Sequence, residues 1–322
     1  MAFKVILWHV LCLAVALAVC PWDAGGSDPK TGGDRVPDVL HGSPTVLRMI
    51  LGRQLQALRE KAGLTYQEAA EVIYSSEWTV RRMERAEGGL KPLTVKALLV
   101  AYGVTDVREI DTFLALARDA SRPGWWHSYT DVLPDWFKVA VGLEESASLI
   151  RAYQPQVVPG LLQTEAYVRA ITAASFPSEK EEDSKRRVAL RLARQDLLNR
   201  PAPPQYWVVL EETVLRRPIG GRDVMRGQIE RLIEMAARPN ITVQVLPFSA
   251  GWHPAMYSMF NIFRFPDNAM PDVVYSEALT SAYYLNKPDE TAKYTEALDR
   301  MAAQAATPDQ TITILRQILK EH

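Results

Sequence analysis

Between Ser76 and Arg85, five side chains lie off the apolar face of a short helical run: Glu77, Trp78, Arg81, Arg82 and Arg85. A guanidinium can grip paired acceptors in bidentate fashion, as on the O6/N7 edge of guanine, and a carboxylate can accept from the amino group of cytosine. Ser76 has the chemistry of a helix N-cap, which leaves the first backbone N–H groups of the run near any phosphate placed there. The chemistry on offer is recognition of a patterned polar surface.

Such a face works only if a second helix holds it. Ala70 follows Tyr66 by four residues, Val80 follows Ala70 by ten and Met83 follows Val80 by three. A small residue in the first helix admits the second closely, and the apolar pair of the second faces the same core, which is the spacing of a helix-turn-helix. Around residues 66–73 and 76–85 the sequence predicts three more helices. One covers 51–62, with Leu51, Leu55 and Leu58 on one face and Gly63 as its stop. Another covers 94–102, opened by Pro92 and ended by Gly103. The last covers 110–120, with Phe113, Leu114 and Leu116 inward.

The run LTYQEAAEVIYSSEWTVRRMER, residues 64–85, resembles the Cro/repressor-type (Xre) helix-turn-helix. The resemblance implies a double-stranded DNA operator as partner and places Tyr66, Gln67, Ser76, Glu77, Trp78, Arg81, Arg82 and Arg85 at the DNA, with helix 76–85 in the major groove. It departs at Tyr74, where the family usually carries Gly because the turn often needs a positive φ; Tyr there costs about 1 kcal/mol, or the turn takes another geometry. Farther on, GWWHSYTDVLPDWF, GLEESASLIRAYQPQVVPGLLQTEAYVRA, GWHP and VVYSEAL resemble the C-terminal domain of actinobacterial WhiJ-like regulators. Such regulators are frequently encoded beside a small BldB-like protein, so the resemblance implies a partner of that kind and an antitoxin-like or effector-sensing role. It carries no catalytic residue and no cofactor.

The organisation expected is an all-α five-helix helix-turn-helix head at 43–121 followed by a mixed α+β domain at 122–322, with 1–42 as a leader-like or mis-started extension. The Arg122-Pro123-Gly124-Trp125-Trp126 segment marks the boundary. Beyond it, 134–150 reads as helical and 153–160 as extended. Helices follow at 161–175, 184–199 and 222–237, and strands at 206–210, 241–246, 258–265 and 272–277. Helices 290–305 and 309–320, separated by a break at Pro308, end the chain.

Composition agrees with this division. The chain of 322 residues has a formal net charge of −1, 48% hydrophobic and 23% charged residues, all ordinary for globular domains. Residues 43–105 carry nine Lys and Arg against six Asp and Glu, so a head of charge +3 stands on a remainder of −4. A locally basic head on a slightly acidic body suits a DNA reader. Both cysteines, Cys12 and Cys20, lie in the first twenty residues, which excludes disulfides and cysteine-based zinc sites from the body.

The other polar and aromatic groupings read mostly as structure. Trp125, Trp126, Trp136 and Tyr153 could line a pocket, but such aromatics more often cement a domain junction. The arginines of 184–199 (Arg186, Arg187, Arg191, Arg194), preceded by Glu179, Glu181, Glu182 and Asp183, read as a solvated amphipathic surface. Glu211 and Glu212 could serve acid–base work at a strand end, and Trp252-His253-Pro254 could be a binding loop. No nucleophile–base pair, phosphate loop or metal cluster accompanies them, so the protein reads as a non-enzyme acting as a homodimer in the cytoplasm. The competing reading is an exported or membrane-associated protein, or an enzyme, using the C-terminal domain.

That competitor draws on the apolar run from Val5 to Val19, which resembles a secretory leader and is short for a spanning helix. A genuine leader, a membrane tether and a start assigned too far upstream all accommodate it; the last fits a DNA reader best. Protein from the native host is therefore expected to begin well downstream of Met1. Intact-mass measurement checks this, and peptides from residues 1–30 in cytosolic protein would refute it.

Overall fold

The computed structural model describes residues 42–266 and 270–322. The leader-like run, both cysteines and nearly all of the 1–42 extension lie outside the described residues. No helix among the described residues is long and apolar enough to cross a membrane.

The head consists of α1 (Pro44–Lys61), α2 (Tyr66–Val72), α3 (Glu77–Glu84), α4 (Pro92–Ala101) and α5 (Val107–Ala120). Helix α1 starts seven residues before the expected 51. Ser43 accepts from the Val46 N–H as N-cap, Pro44 takes a first-turn position where its missing N–H costs nothing, and Val46, Leu47 and Ile50 extend the buried stripe. Its far end closes as expected. Gly63 sits at φ 69°, and the Leu64 N–H reaches the Arg59 carbonyl at 3.1 Å while the Gly63 N–H reaches that of Glu60 at 3.0 Å. Helix α5 starts at 107 because Asp106 caps it.

A 3₁₀ turn at Trp125–Tyr129 leads into α6 (Asp135–Ser146) and strand β1 (Leu149–Gln154). The expectation that helix runs to 150 fails here. Strand β1 is central, paired on both edges and covered on both faces, so it lacks the alternation that marks a half-buried strand. Helices α7 (Glu165–Ser175) and α8 (Glu181–Gln195) follow, then β2 (Gln205–Glu211), α9 (Glu212–Arg216), α10 (Arg222–Ala236), β3 (Ile241–Leu246), β4 (Phe260–Arg264), β5 (Val273–Glu277), β6 (Ala282–Leu285), α11 (Pro288–Gln304) and α12 (Pro308–Glu321). Neither α9 nor β6 was expected. Pro308 opens α12 inside a Thr307/Gln310 capping box and is less a break than a start.

The strands form one six-stranded sheet in the order β3-β2-β1-β4-β5-β6. Strands β1, β2 and β3 are parallel, and β4, β5 and β6 add antiparallel neighbours on the other side, with Ile150 opposite both Tyr206 and Phe263. Ile150, Ala152, Val208, Leu210 and Val243 share a buried cluster with residues of α6, α10 and α12. Tyr153, Val209, Phe260, Ile262 and Val274 turn to the opposite face, under Leu298 and Met301 of α11.

Head and body meet at α1 and α6. The Ser43 hydroxyl donates to the Gly142 carbonyl at 2.5 Å, and the Ser43 N–H donates to the Ser146 hydroxyl at 2.6 Å. A Cβ at Gly142 would stand 2.5 Å from the Thr45 hydroxyl, so only glycine admits this approach. The apolar cluster of the head continues without a gap into that of the first sheet face.

A second glycine holds α1 against α3. A Cβ at Gly52 would come within 2.5 Å of the Glu84 carbonyl oxygen and 2.8 Å of that of Met83. Gly52→Ala gains helix propensity of about 1 kcal/mol but must push two backbone carbonyls aside. A net loss of roughly 1–3 kcal/mol in chemical denaturation is expected; unchanged or greater stability would contradict the close crossing.

Candidate nucleic-acid interface

Helix α2 begins with a reciprocal capping box, in which Thr65 accepts from the Glu68 N–H and Glu68 accepts from the Thr65 N–H. Ala69 and Ala70 are both buried where α3 crosses. The turn takes the left-handed geometry expected of a glycine, with Tyr74 at φ 49° and its side chain 99% exposed. No packing repays the strain. Ser76 then caps α3, accepting from the Thr79 N–H at 3.3 Å, and Val80 and Met83 enter the core.

Helix α3 also sends its last acid inward. Glu84 does not pair with a neighbouring arginine of its own helix: it is buried and takes a bidentate pair from Arg59 of α1, at 2.7 and 2.9 Å. This bond raises the Arg59 guanidinium above its usual pKa against the opposing effect of burial. Arg59 also donates to the Leu64 carbonyl at 3.0 Å. Burial, reinforced by Glu84, pushes the nearby Tyr102 hydroxyl up as well. Arg59 carried no functional signal in the sequence, since one arginine near a helix C-terminus is ordinary.

The exposed face follows from that anchoring. Two guanidinium groups, those of Arg59 and Arg81, lie over the Tyr66 ring, each 3.9 Å from its centroid. Arg81 also stands 3.7 Å from Glu77. Arg82 stacks over Trp78 at 4.5 Å and donates to the Glu87 carbonyl at 2.8 Å. Trp78 is 64% exposed and does not bury itself on α2. Gln67, on α2, is exposed and reaches Glu71 at 3.4 Å; Arg85, the C-cap of α3, is exposed. Two arginines are thus held on aromatic rings before any ligand arrives, which lowers the rotamer entropy lost on binding.

The other groupings fall out differently. Trp125, Trp126, Trp136 and Tyr153 do not meet around one space. Trp126 packs with Leu133, Val141 and Leu190, whereas Tyr153 lies across the sheet beside Phe260. Three of the four α8 arginines are not on a solvated face. Arg194 is locked to Glu144 at 2.6 and 3.0 Å, Arg187 to Glu179 at 2.7 Å and to the Val132 carbonyl, and Arg186 to Asp131 at 2.6 Å. Arg191 has one long bond, to Gln163 at 3.4 Å, and burial together with Arg194 pushes it down to about 10. Helix α8 lies along the body with Arg187, Arg191 and Arg194 turned into it, answered by acidic residues before it and on α6, whereas Arg186 stays at the surface as expected, paired there with Asp131.

At the carboxyl ends of the parallel strands, Glu211 accepts from the Tyr153 hydroxyl at 3.0 Å and lies 2.7 Å from Nε2 of the buried His253. Nδ1 of His253 has no partner among the described residues. Glu212 accepts from the Phe248 N–H at 3.0 Å. Both acids therefore tie down the loop at 248–257, and that loop presents Phe248, Trp252, Met256 and Tyr257 to solvent. Among the described residues no group of three or more His, Cys, Asp or Glu is placed to hold a metal ion.

Comparison with known families agrees with the division into a helical head and a second domain. A helix-turn-helix domain family matches residues 50–113, and a family described as a domain of unknown function, DUF5753, matches residues 137–317, more than half of the chain. No curated protein and no solved structure matches it.

The Arg59–Glu84 pair generates a stability prediction. Removing one partner strands a buried charge, so Arg59→Met is expected to cost about 3–5 kcal/mol in chemical denaturation. The double change Arg59→Met/Glu84→Leu should recover most of that loss. A double variant no more stable than the single one would show that the pair does not hold α1 to α3.

Proposed function

We propose a transcriptional regulator's role for this protein, which belongs to the DUF5753 family and carries a helix-turn-helix domain ahead of it. The observation that carries the reading is the outer face of α3, where Arg81 and Arg82 are already stacked on Tyr66 and Trp78 beside a capped helix start. In the reading, that start enters the major groove of double-stranded DNA, Arg81 and Arg82 read base edges, Glu77 helps choose among them, and Arg85 and Gln67 approach the phosphate backbone. The protein would act where the DNA is, in the cytoplasm, as an Xre-type regulator of the WhiJ-like kind.

The C-terminal domain serves in this reading as a binding module with no catalysis and no cofactor. Its exposed loop at 248–257, rich in the aromatic and Met residues that anchor protein interfaces and fixed from beneath by Glu211 and Glu212, suits a small protein partner such as a BldB-like neighbour.

Arg81→Ala and Arg82→Ala should each weaken binding to the native operator by about 1–3 kcal/mol and relax preference at one or two positions. Arg85→Ala should weaken all sequences alike and flatten the salt dependence. Fluorescence anisotropy on operator and scrambled duplexes checks both. Full operator affinity in the Arg81/Arg82 double variant would overturn the assignment of α3.

One short helix reads few base pairs, so specificity calls for two copies on half-sites about one helical turn apart. The full chain is expected to sediment as a dimer and to footprint both halves of an inverted repeat. A chain ending at Ser121, which loses the seat of Ser43 on Gly142 and Ser146, should bind much more weakly. A monomer that protects a single half-site would remove the homodimer.

A further inference from the structure

The two edges of the sheet are finished differently. At β3 the outward main-chain groups of Val245 are taken by the α11–α12 segment. The Ala306 N–H donates to the Val245 carbonyl at 2.8 Å, and the Val245 N–H donates to the Thr311 hydroxyl at 3.0 Å. An edge closed in this way offers no template to another strand.

The β6 edge is not closed. Across its hairpin the Ala278 N–H donates to the Ser281 carbonyl at 2.9 Å, which marks that pair as a hydrogen-bonded one. Such pairs alternate along an antiparallel ladder. Tyr283 and Leu285 therefore bond to Ser276 and Val274. Ala282 and Tyr284, with Asn286 just beyond the strand, turn their N–H and C=O groups away from β5. Among the described residues nothing bonds to those outward groups. Native sheets blunt such an edge with a charge, a proline or a bulge, and Ala282-Tyr283-Tyr284-Leu285 carries none of these. Tyr283 is 64% exposed, and Leu279 at the hairpin tip is 98% exposed.

We propose that β6 pairs antiparallel with β6 of a second copy of this chain, about a two-fold axis at Tyr284, so that the two sheets become one. This register uses every outward residue. The two Tyr284 residues exchange N–H···O=C bonds with each other, and Ala282 exchanges them with Asn286 of the other copy. It also sets Tyr283 opposite Leu285 of the other copy. Leu285 packs on the sheet face under α11, and Tyr283, two residues away, shares that face. The exposed ring thereby gains an apolar cross-strand neighbour, once in each copy. A slip of one residue would set side chains of opposite faces against each other.

The edge itself selects a second copy as the occupant. An added strand must be extended and offer main-chain groups at every second residue. A second β6 does so in matching register, and it is as uncharged as the edge it meets, so no charge is left unpaired. Two-fold symmetry then repeats each contact. The pairing names the surface of the homodimer proposed above and rests on that reading for its role at DNA, though not for its existence.

Sedimentation of the full chain tests it. The wild-type chain should form a dimer with a dissociation constant below about 10 μM. Ala282→Pro removes an outward N–H at the first position of the strand, where proline is tolerated, and Tyr283→Lys puts a charge on each copy beside the axis. Each should raise that constant at least about tenfold, since symmetry removes every contact twice, and leave the circular dichroism spectrum unchanged. Cys12 and Cys20 are the only cysteines, so with both changed to Ser the thiols report on the edge alone. Ala282→Cys/Asn286→Cys should then oxidise to a covalent dimer, because hydrogen-bonded pairs stand about 5.5 Å apart at Cα, within disulfide reach. Ala282→Cys alone should not. A wild-type chain still monomeric at about ten times that concentration, a dimer that survives both edge variants, or no covalent dimer in the double-cysteine chain would each overturn the pairing. Operator binding by a dimer that the edge variants leave intact would sink the edge and keep the regulator. A dimer that both variants dissolve but that binds no DNA would keep the edge and sink the regulator.

Discussion

The placement of α3 depends on how it is fastened to α1. Gly52 lets the backbone of α1 touch the carbonyls that end α3, and at that contact Arg59 and Glu84 close a buried bidentate pair. Either device alone leaves a degree of freedom: close packing permits sliding, and a salt bridge permits tilting. Together they fix the height and rotation of α3, and the Tyr66 ring extends the arrangement outward by stacking on Arg59 and Arg81 at once. A buried pair adds little to stability by itself, since the cost of desolvating both charges offsets much of their attraction, but losing either partner strands the other.

The same helix passes the constraint on. The N-terminus of α1 is seated on α6 through Ser43, Gly142 and Ser146, and α6 is clamped to α8 by Glu144 and Arg194. The head is thereby joined to the body through polar contacts at each step, inside an apolar cluster that runs from one to the other. Polar contacts of this kind are directional and fix how the elements are oriented at each joint.

Much of the head was legible in the chain because its signals are local. The Ser76 cap, the Gly63 and Gly103 stops and the 3.6-residue spacing of Leu51, Leu55, Val80 and Met83 each depend on neighbours within a turn or two. Tyr74 was identified as sitting where a positive φ is wanted, and it holds φ 49°. The errors came where distant neighbours decide. Strand β1 looked like the continuation of α6 because both its faces and both its edges are covered. Arg187 and Arg194 of α8 looked solvated because Glu179 and Glu144, which hold them, come from outside the helix.

The sequence by itself determined the division into an all-helical head and a mixed α+β body, the polar outer face of α3 and the lack of cysteines in the body, since each of these is set by residue type and short-range spacing. Tertiary structure alone decided which polar and charged groups are partners: Arg59 with Glu84, Glu211 with His253, and Arg194 with Glu144. The physical reason is distance along the chain. Ion pairs form between residues 25 to 50 positions apart, as Arg59–Glu84 and Arg194–Glu144 do, only once the backbone has brought them together, and no local pattern records which approach the fold will choose.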